Sequence, residues 1–417
     1  MITKLSALLF PPQYKPQIWL LFWGTLFSST GNALIWPFLT IYIREQLDIS
    51  LTTITLLFTF QSVTGFVATA LVSPIMDRLG RKKPMILALI TSSITMIVMS
   101  HAWALWHWAL LLPLYTVQNT VFRIGSYTMI ADMVKPDRRS EVYALLRMGD
   151  NVGIAAGPTL GGFLVTVSYA LSFYLAGGVQ IVIAVFMIRM IGETLLDAAP
   201  DAGAVLAQPG YGPLLHDQSF LMTWGLYILV QIANAMVFVL LGLYVKENFG
   251  IPENRYGFIV GANAVMVVTL QYSVTRVSDR YRALPVIALG ALLYAVGMGV
   301  FGMAGGFVMF LAGMVILTLG ELLLVPTATA LVANIAPPDM RARYMGTFSL
   351  SFRIGAGIGP VVGGVLSDTI APAATWYGGM VACVLAAAGF WLLRDRLNPE
   401  CAASYQLVPC VDANSES

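Results

Sequence analysis

Residues 153–162 read GIAAGPTLGG and residues 355–364 read GAGIGPVVGG, one pattern written twice, 202 positions apart. Gly153, Gly157, Pro158, Gly161 and Gly162 meet Gly355, Gly359, Pro360, Gly363 and Gly364. The same ungapped offset carries Asn32-Ala33 onto Asn234-Ala235, Tyr42 onto Tyr244, Glu45 onto Glu247 and Asp77-Arg78 onto Asp279-Arg280. It also carries Pro136-Asp137 and Arg139 onto Pro338-Asp339 and Arg341. Agreement of separate features at a single offset implies two homologous halves. Within each copy, glycines one helical turn apart leave a strip without side chains along one face, which lets a second helix approach closely. The proline removes a backbone donor and bends the helix.

Both copies sit in long apolar runs. Of the 417 residues 58% are apolar and only 11% are charged, against roughly 25% charged in an average soluble domain. A mean hydropathy of +0.78 excludes a disordered chain, and no polar half remains to form a soluble catalytic domain. The net charge of +2 offers no basic field for nucleic acid. Cys383 lies in an apolar run and Cys401 and Cys410 in the tail, so neither metal nor disulfide chemistry is indicated. No cofactor is implied.

A bilayer core of roughly 30 Å needs about 20 apolar residues in a helix. Twelve runs qualify: 17–43, 52–76, 84–103, 105–134, 141–168, 171–191, 218–245, 254–277, 284–303, 306–335, 342–367 and 373–394. The first is too long and too polar in its middle (Ser28, Ser29, Asn32) for a cleaved signal peptide. The fold class is therefore an all-α membrane protein of twelve transmembrane helices in two pseudo-symmetric six-helix bundles. Residues 1–191 form the N-terminal bundle, 192–217 a proline-containing cytoplasmic linker, 218–394 the C-terminal bundle and 395–417 a cytoplasmic tail. With both termini inside, only Arg44, Lys246 and Arg255 of the 23 Lys and Arg fall outside, and Arg123, Arg147 and Arg353 lie within helices. The positive-inside rule supports that orientation, in the inner membrane if the source is bacterial.

The stretch from Ser73 to Lys82, with Asp77, Arg78, Gly80 and Arg81 at its centre, resembles the loop signature of the major facilitator superfamily between helices two and three. Gly153, Gly157-Pro158 and Gly161-Gly162 resemble the helix-five signature of its twelve-helix drug-proton antiporter branch. The resemblance covers residues 17 to 394, with Ser73 where the family usually has glycine and Arg282 at the counterpart of Gly80. It implies the major facilitator fold, alternating access about a central site, and a latch of Asp77, Arg78, Arg81 and Asp132 that holds the outward-open arrangement. The alternative for these charges is an ordinary solvated positive-inside boundary. It also implies that both glycine-proline copies meet at the contact between halves near the extracellular side.

Charges in hydrocarbon are expensive and mark function by default. Counting from helix ends, Arg123 and Asp150 lie about 18 and 15 Å deep, and Glu321 and Arg353 about 21 and 18 Å deep. Each pair matches in depth, which makes Arg123–Asp150 and Glu321–Arg353 candidate partners. Glu321 is the expected main proton carrier, because desolvation penalises an isolated carboxylate. Leu319-Gly320-Glu321 resembles the antiporter sequence in which this acid is functional, and Arg123 resembles the branch's helix-four arginine, thought to assist proton relay. Asp150 is the second candidate, with Arg147 one turn away. Permanent pairing with arginine is the alternative for both acids.

Stripes at helical spacing are expected to line the cavity: Asn32 and Trp36 with Thr25 and Ser28 in helix one, Tyr115 and Asn119 with Phe122 and Ser126 in helix four, and Tyr227, Gln231, Asn234 and Phe238 in helix seven. Aromatics among few polar groups suit an amphipathic ligand, although such stripes also serve plain packing. The functional expectation is a proton-coupled exporter of amphipathic small molecules, working as a monomer in the bilayer with a small-molecule substrate and protons as partners and no nucleic acid. A transporter of sugars or metabolites is favoured instead if the cavity is rich in amides and poor in aromatics. A nontransporting receptor is the alternative from another class. With no P-loop, metal cluster or nucleophile elbow, an enzyme is not expected.

Overall fold

The computed structural model describes residues 16–135, 138–194, 212–337 and 340–394. Most of the expected linker, the Pro136-Asp137 and Pro338-Asp339 pairs and the expected tail lie outside the described residues. Twelve long helices are seen among them: α1 Pro16–Leu47, α2 Leu51–Leu79, α3 Lys82–Met99, α4 Leu105–Met133, α5 Arg139–Val167 and α6 Tyr169–Met190. After the one-turn helix Gly212–His216 come α7 Gln218–Phe249, α8 Glu253–Ser278, α9 Ala283–Met303, α10 Phe307–Ile335, α11 Arg341–Thr369 and α12 Ala374–Leu393. Pro37 interrupts α1 with a 3-10 turn at Trp36–Phe38.

Several helices exceed their apolar runs. The five helices α2, α4, α5, α10 and α11 have 29 residues each, more than the roughly 20 a bilayer core requires. Local chemistry sets the ends. Asp48 takes a left-handed φ of 47° after α1, and Ser50 caps α2 by accepting from the Thr53 amide at 3.2 Å. Asp217 caps α7 through the Phe220 amide at 3.0 Å, and Gly250 closes that helix at a φ of +62°.

Among the described residues, ten helices are long and apolar enough to cross a membrane. The other two, α4 and α5, are long enough but carry Arg123, Asp132, Arg147 and Asp150. The flanks of the bundle are apolar: Val167, Val308 and Leu392 are 77%, 75% and 74% exposed. Water would not tolerate such a surface, and lipid does.

Within the halves α5 packs on α1 and α11 on α7, while α5 with α8 and α2 with α11 join the halves. We call the side with the Arg81, Arg139, Arg282 and Arg341 connections the basic face. At the opposite face Arg44 Nε meets Glu247 Oε1 at 3.0 Å, and Lys246 bridges Glu45 and Glu253. The Tyr169 hydroxyl donates to Glu253 (2.7 Å), the Thr40 hydroxyl to the Val239 carbonyl (2.7 Å), and Thr52 to Asp368 through both its amide (2.8 Å) and hydroxyl (2.7 Å). The halves are thus fastened together at this face.

Candidate functional site

A cavity of roughly 370 Å3 opens beside the middle of α1, α4 and α5. It is lined by Thr25, Ser28, Ser29, Asn119, Phe122, Arg123, Ile124, Ser126, Tyr127, Thr128 and Asp150. Helical spacing brings Asn119, Phe122, Arg123, Ser126 and Tyr127 to one side of α4. Hydroxyl, amide and charged groups outnumber aromatics in this lining.

The two depth-matched pairs do not form. Asp150 accepts a hydrogen bond from the Ser29 hydroxyl of α1. Arg123 shares the cavity with Asp150 yet makes no hydrogen bond or ion pair with it or any other described residue. Glu321 Oε2 accepts from Asn263 Nδ2 of α8 at 2.7 Å, and the same amide donates to Thr318 Oγ1 at 3.0 Å. Arg353 turns away from Glu321 and crosses between the halves, where Nη2 donates to Thr69 Oγ1 of α2 at 3.0 Å. Gly65, one turn along α2, makes room for that guanidinium: a Cβ there would stand 3.7 Å from Arg353 Cζ and closer still to Nη1. Equal depth brought these groups to the same level but did not decide which way each side chain points. Both mid-membrane acids are therefore held by neutral donors.

The helix-seven stripe also departs from expectation. The Tyr227 ring lies 4.5 Å from that of Phe348, and Asn234 Nδ2 donates to the Tyr294 hydroxyl at 2.7 Å. The Gln231 backbone abuts Gly355, and Phe238 packs on the large apolar core to which both halves contribute. This face is used for packing and does not line the described cavity. Asn32 accepts from the Tyr115 hydroxyl at 3.2 Å, and Trp36 stands edge-on to Phe58. Of the eight residues expected to bind substrate, Asn119 lines the cavity.

At the basic face Arg81 is buried and binds Asp77 at 3.1 Å, Asp132 at 3.1 Å and the Met76 carbonyl at 3.0 Å. Arg78 is exposed and outside this cluster. Sequence reading missed Glu193 and Thr194. Glu193 accepts from the Arg81 and Lys82 amides (2.9 and 3.1 Å), and the Thr194 hydroxyl donates to Asp132 at 2.9 Å. Gly80 allows this turn through a φ of +86°, and a Cβ on it would stand 2.9 Å from the Glu193 carboxyl carbon. The cluster lies within one half and is intact while the opposite face is closed.

The glycine strips divide their work. Gly153, Gly157 and Gly161 face α1, and Gly355, Gly359 and Gly363 face α7, so the main strip packs within each half. The last glycine of each copy reaches across, and in the second copy so does Gly357, which faces Ser62 of α2 and accepts from the Thr59 hydroxyl. A Cβ on Gly162 would meet the Glu253 carbonyl of α8 at 2.8 Å, and one on Gly364 would meet Thr55 Oγ1 of α2 at 2.8 Å. The expectation that both whole copies lie between the halves is corrected, because consecutive residues of a helix point about 100° apart. Pro158 assists this crossing, since its carbonyl would lie 2.7 Å from a Cβ on Gly257.

Ser29, Asn263, Thr318 and Thr69 also escaped sequence reading. Asn263 had a signal, as an isolated amide in an apolar run of α8.

Comparison with known proteins adds a family. The model of the Major Facilitator Superfamily matches residues 21–230 and 223–407. A Na(+), Li(+), K(+)/H(+) antiporter of Planococcus maritimus is 25% identical over 390 residues, covering 85% of this chain and 88% of that one. Multidrug resistance protein MdtH of Citrobacter koseri is 24% identical over 302 residues, covering 70% and 72%. A solved structure of a mutant nucleoside transporter NupG superimposes with a TM-score of 0.76 at 12% identity, covering 90% of this chain and 99% of that one.

Proposed function

Since the chain belongs to the Major Facilitator Superfamily, whose members are transporters rather than enzymes, we propose that it is a proton-coupled secondary transporter with Glu321 as its proton carrier. It is an integral, multi-pass membrane protein. The observation that carries this reading is the surroundings of Glu321. Its partner Asn263 is a neutral donor from another helix, so the acid can gain and lose a proton without breaking an ion pair. With the basic face in the cytoplasm, the described state is closed to the outside, and the halves rock against each other to open it.

Exchange of protons for amphipathic compounds is the first reading of cargo, supported by the glycine-proline copies and by the multidrug name of one relative. The polar lining of the cavity favours the second reading, a sugar- or metabolite-like solute. Proteoliposomes carrying a pH dye separate them. Lipophilic cations, sugars and small organic acids are added in turn to wild type and Glu321→Gln. Proton flux with a panel member in wild type, lost in the variant, is the expected result. Undiminished proton-coupled flux in Glu321→Gln removes Glu321 from the role and turns attention to Asp150.

A further inference from the structure

The central charges are not balanced pairwise. Arg123 projects into the cavity without a hydrogen-bond or ion-pair partner among the described residues. Arg353, from the other half, has the Thr69 hydroxyl as its one bonded partner there. Its guanidinium lies over Gly65 of α2, which also faces Thr116 of α4, where a Cβ would stand 3.0 Å from the threonine methyl, and Arg123 projects from the same side of α4 two turns further on. The acids that would neutralise them are turned to neutral groups, Asp150 to Ser29 and Glu321 to Asn263. A guanidinium keeps its charge at every accessible pH, and leaving two of them in a membrane interior without anions is costly. Such an arrangement is relieved by an incoming negative charge, and the planar fork of arginine suits a carboxylate or phosphate oxygen pair.

We infer that Arg123 and Arg353 form a two-sided clamp for an anionic group, a carboxylate or similar oxyanion, on the transported molecule. The inference rests on the transport reading and narrows its cargo to organic anions. One arginine comes from each half, so a bound anion ties α4 of the first bundle to α11 of the second and helps to bring the halves together around it. The hydroxyls of Thr25, Ser29 and Thr128 and the amide of Asn119 are left for the neutral part of the ligand.

The test is calorimetric titration of the purified full-length protein, in uncharged detergent, with three probes of one shape. These are 2-naphthylacetate, its uncharged amide, and (2-naphthylmethyl)trimethylammonium. The expected order has the carboxylate about tenfold or more tighter than the amide, consistent with a charge-assisted bond, and the ammonium weakest. Arg123→Gln and Arg353→Gln each erase the carboxylate preference, while Arg123→Lys keeps part of it. Arg123 has no bonded partner to lose, so Arg123→Gln is expected to keep the wild-type melting temperature and gel-filtration profile. Equal binding of all three probes, tighter binding of the ammonium, no binding at all, or a preference that survives both glutamine variants overturns the clamp. Failure of the transport reading looks different: carboxylate-selective binding that depends on both arginines, with no proton flux in proteoliposomes. Proton flux with cations and no carboxylate preference sinks the clamp alone.

Discussion

Arg81 shows what a single side chain does at a membrane boundary. Only 7% exposed, it holds two carboxylates and a backbone carbonyl, and thereby fixes the turn between α2 and α3. Arg81→Ala leaves Asp132 half-buried with only a hydroxyl for company, and is expected to cost about 3 kcal/mol, read as a lower melting temperature in detergent. Gly80→Ala is expected to cost about 1–2 kcal/mol, from its positive φ and the crowding of Glu193. At this scale the sequence was only partly legible. Counting residues along a helix gives depth, and Glu321, Arg353, Arg123 and Asp150 were all recognisable as costly groups at similar depth. Direction around the helix axis depends on which neighbours leave room, and that is how Arg353 came to lie over Gly65 and Thr69. Hydroxyls and amides such as Ser29 and Asn263 cost little in hydrocarbon beside a charge, so the groups that bind the acids were the hardest to see.

Helices were more legible than side chains, because apolar length and a 202-residue repeat survive even where the spans carry charge. Their contacts give a prediction that separates two uses of glycine. Gly153→Val pushes α5 away from α1 inside one bundle, where even a Cβ would stand 2.6 Å from the Leu26 carbonyl oxygen, and is expected to lower stability. Gly162→Val wedges α5 from α8 across the halves instead. It is expected to leave each bundle intact and shift the population toward a state open at the face closed here. Spin labels at Asp48 and Asn248, beside the closed contacts, measure that shift by pulsed distance spectroscopy. A normal distance distribution in Gly162→Val, with a lowered melting temperature like that of Gly153→Val, would mean that both glycines serve packing alone.

For the molecule as a whole, the charges of the closed face follow the repeat in an informative way. Arg44-Glu45 and Lys246-Glu247 are equivalent positions, and they exchange partners: Arg44 holds Glu247 while Lys246 holds Glu45. Partly exposed pairs contribute only about 0.2–1 kcal/mol each, which suits a contact that must open and close repeatedly. Lys246→Gln removes the bonds to Glu45 and Glu253 together and is expected to move the open–closed balance roughly fivefold toward open. High salt is expected to act in the same direction on wild type. The spin-label distances read both, and an unchanged balance under both treatments would leave the apolar and glycine contacts as what closes this face.

The bond from the Thr52 amide to Asp368 puts a built-in clock on the same motion. That amide belongs to the first turn of α2, where no earlier carbonyl in its own helix can accept it, and its acceptor sits on the other bundle. Its hydrogen is shielded only while the bundles touch. Deuterium uptake at this one position therefore counts openings of an unlabelled, unmodified transporter, and any solute that holds the bundles closed slows the count.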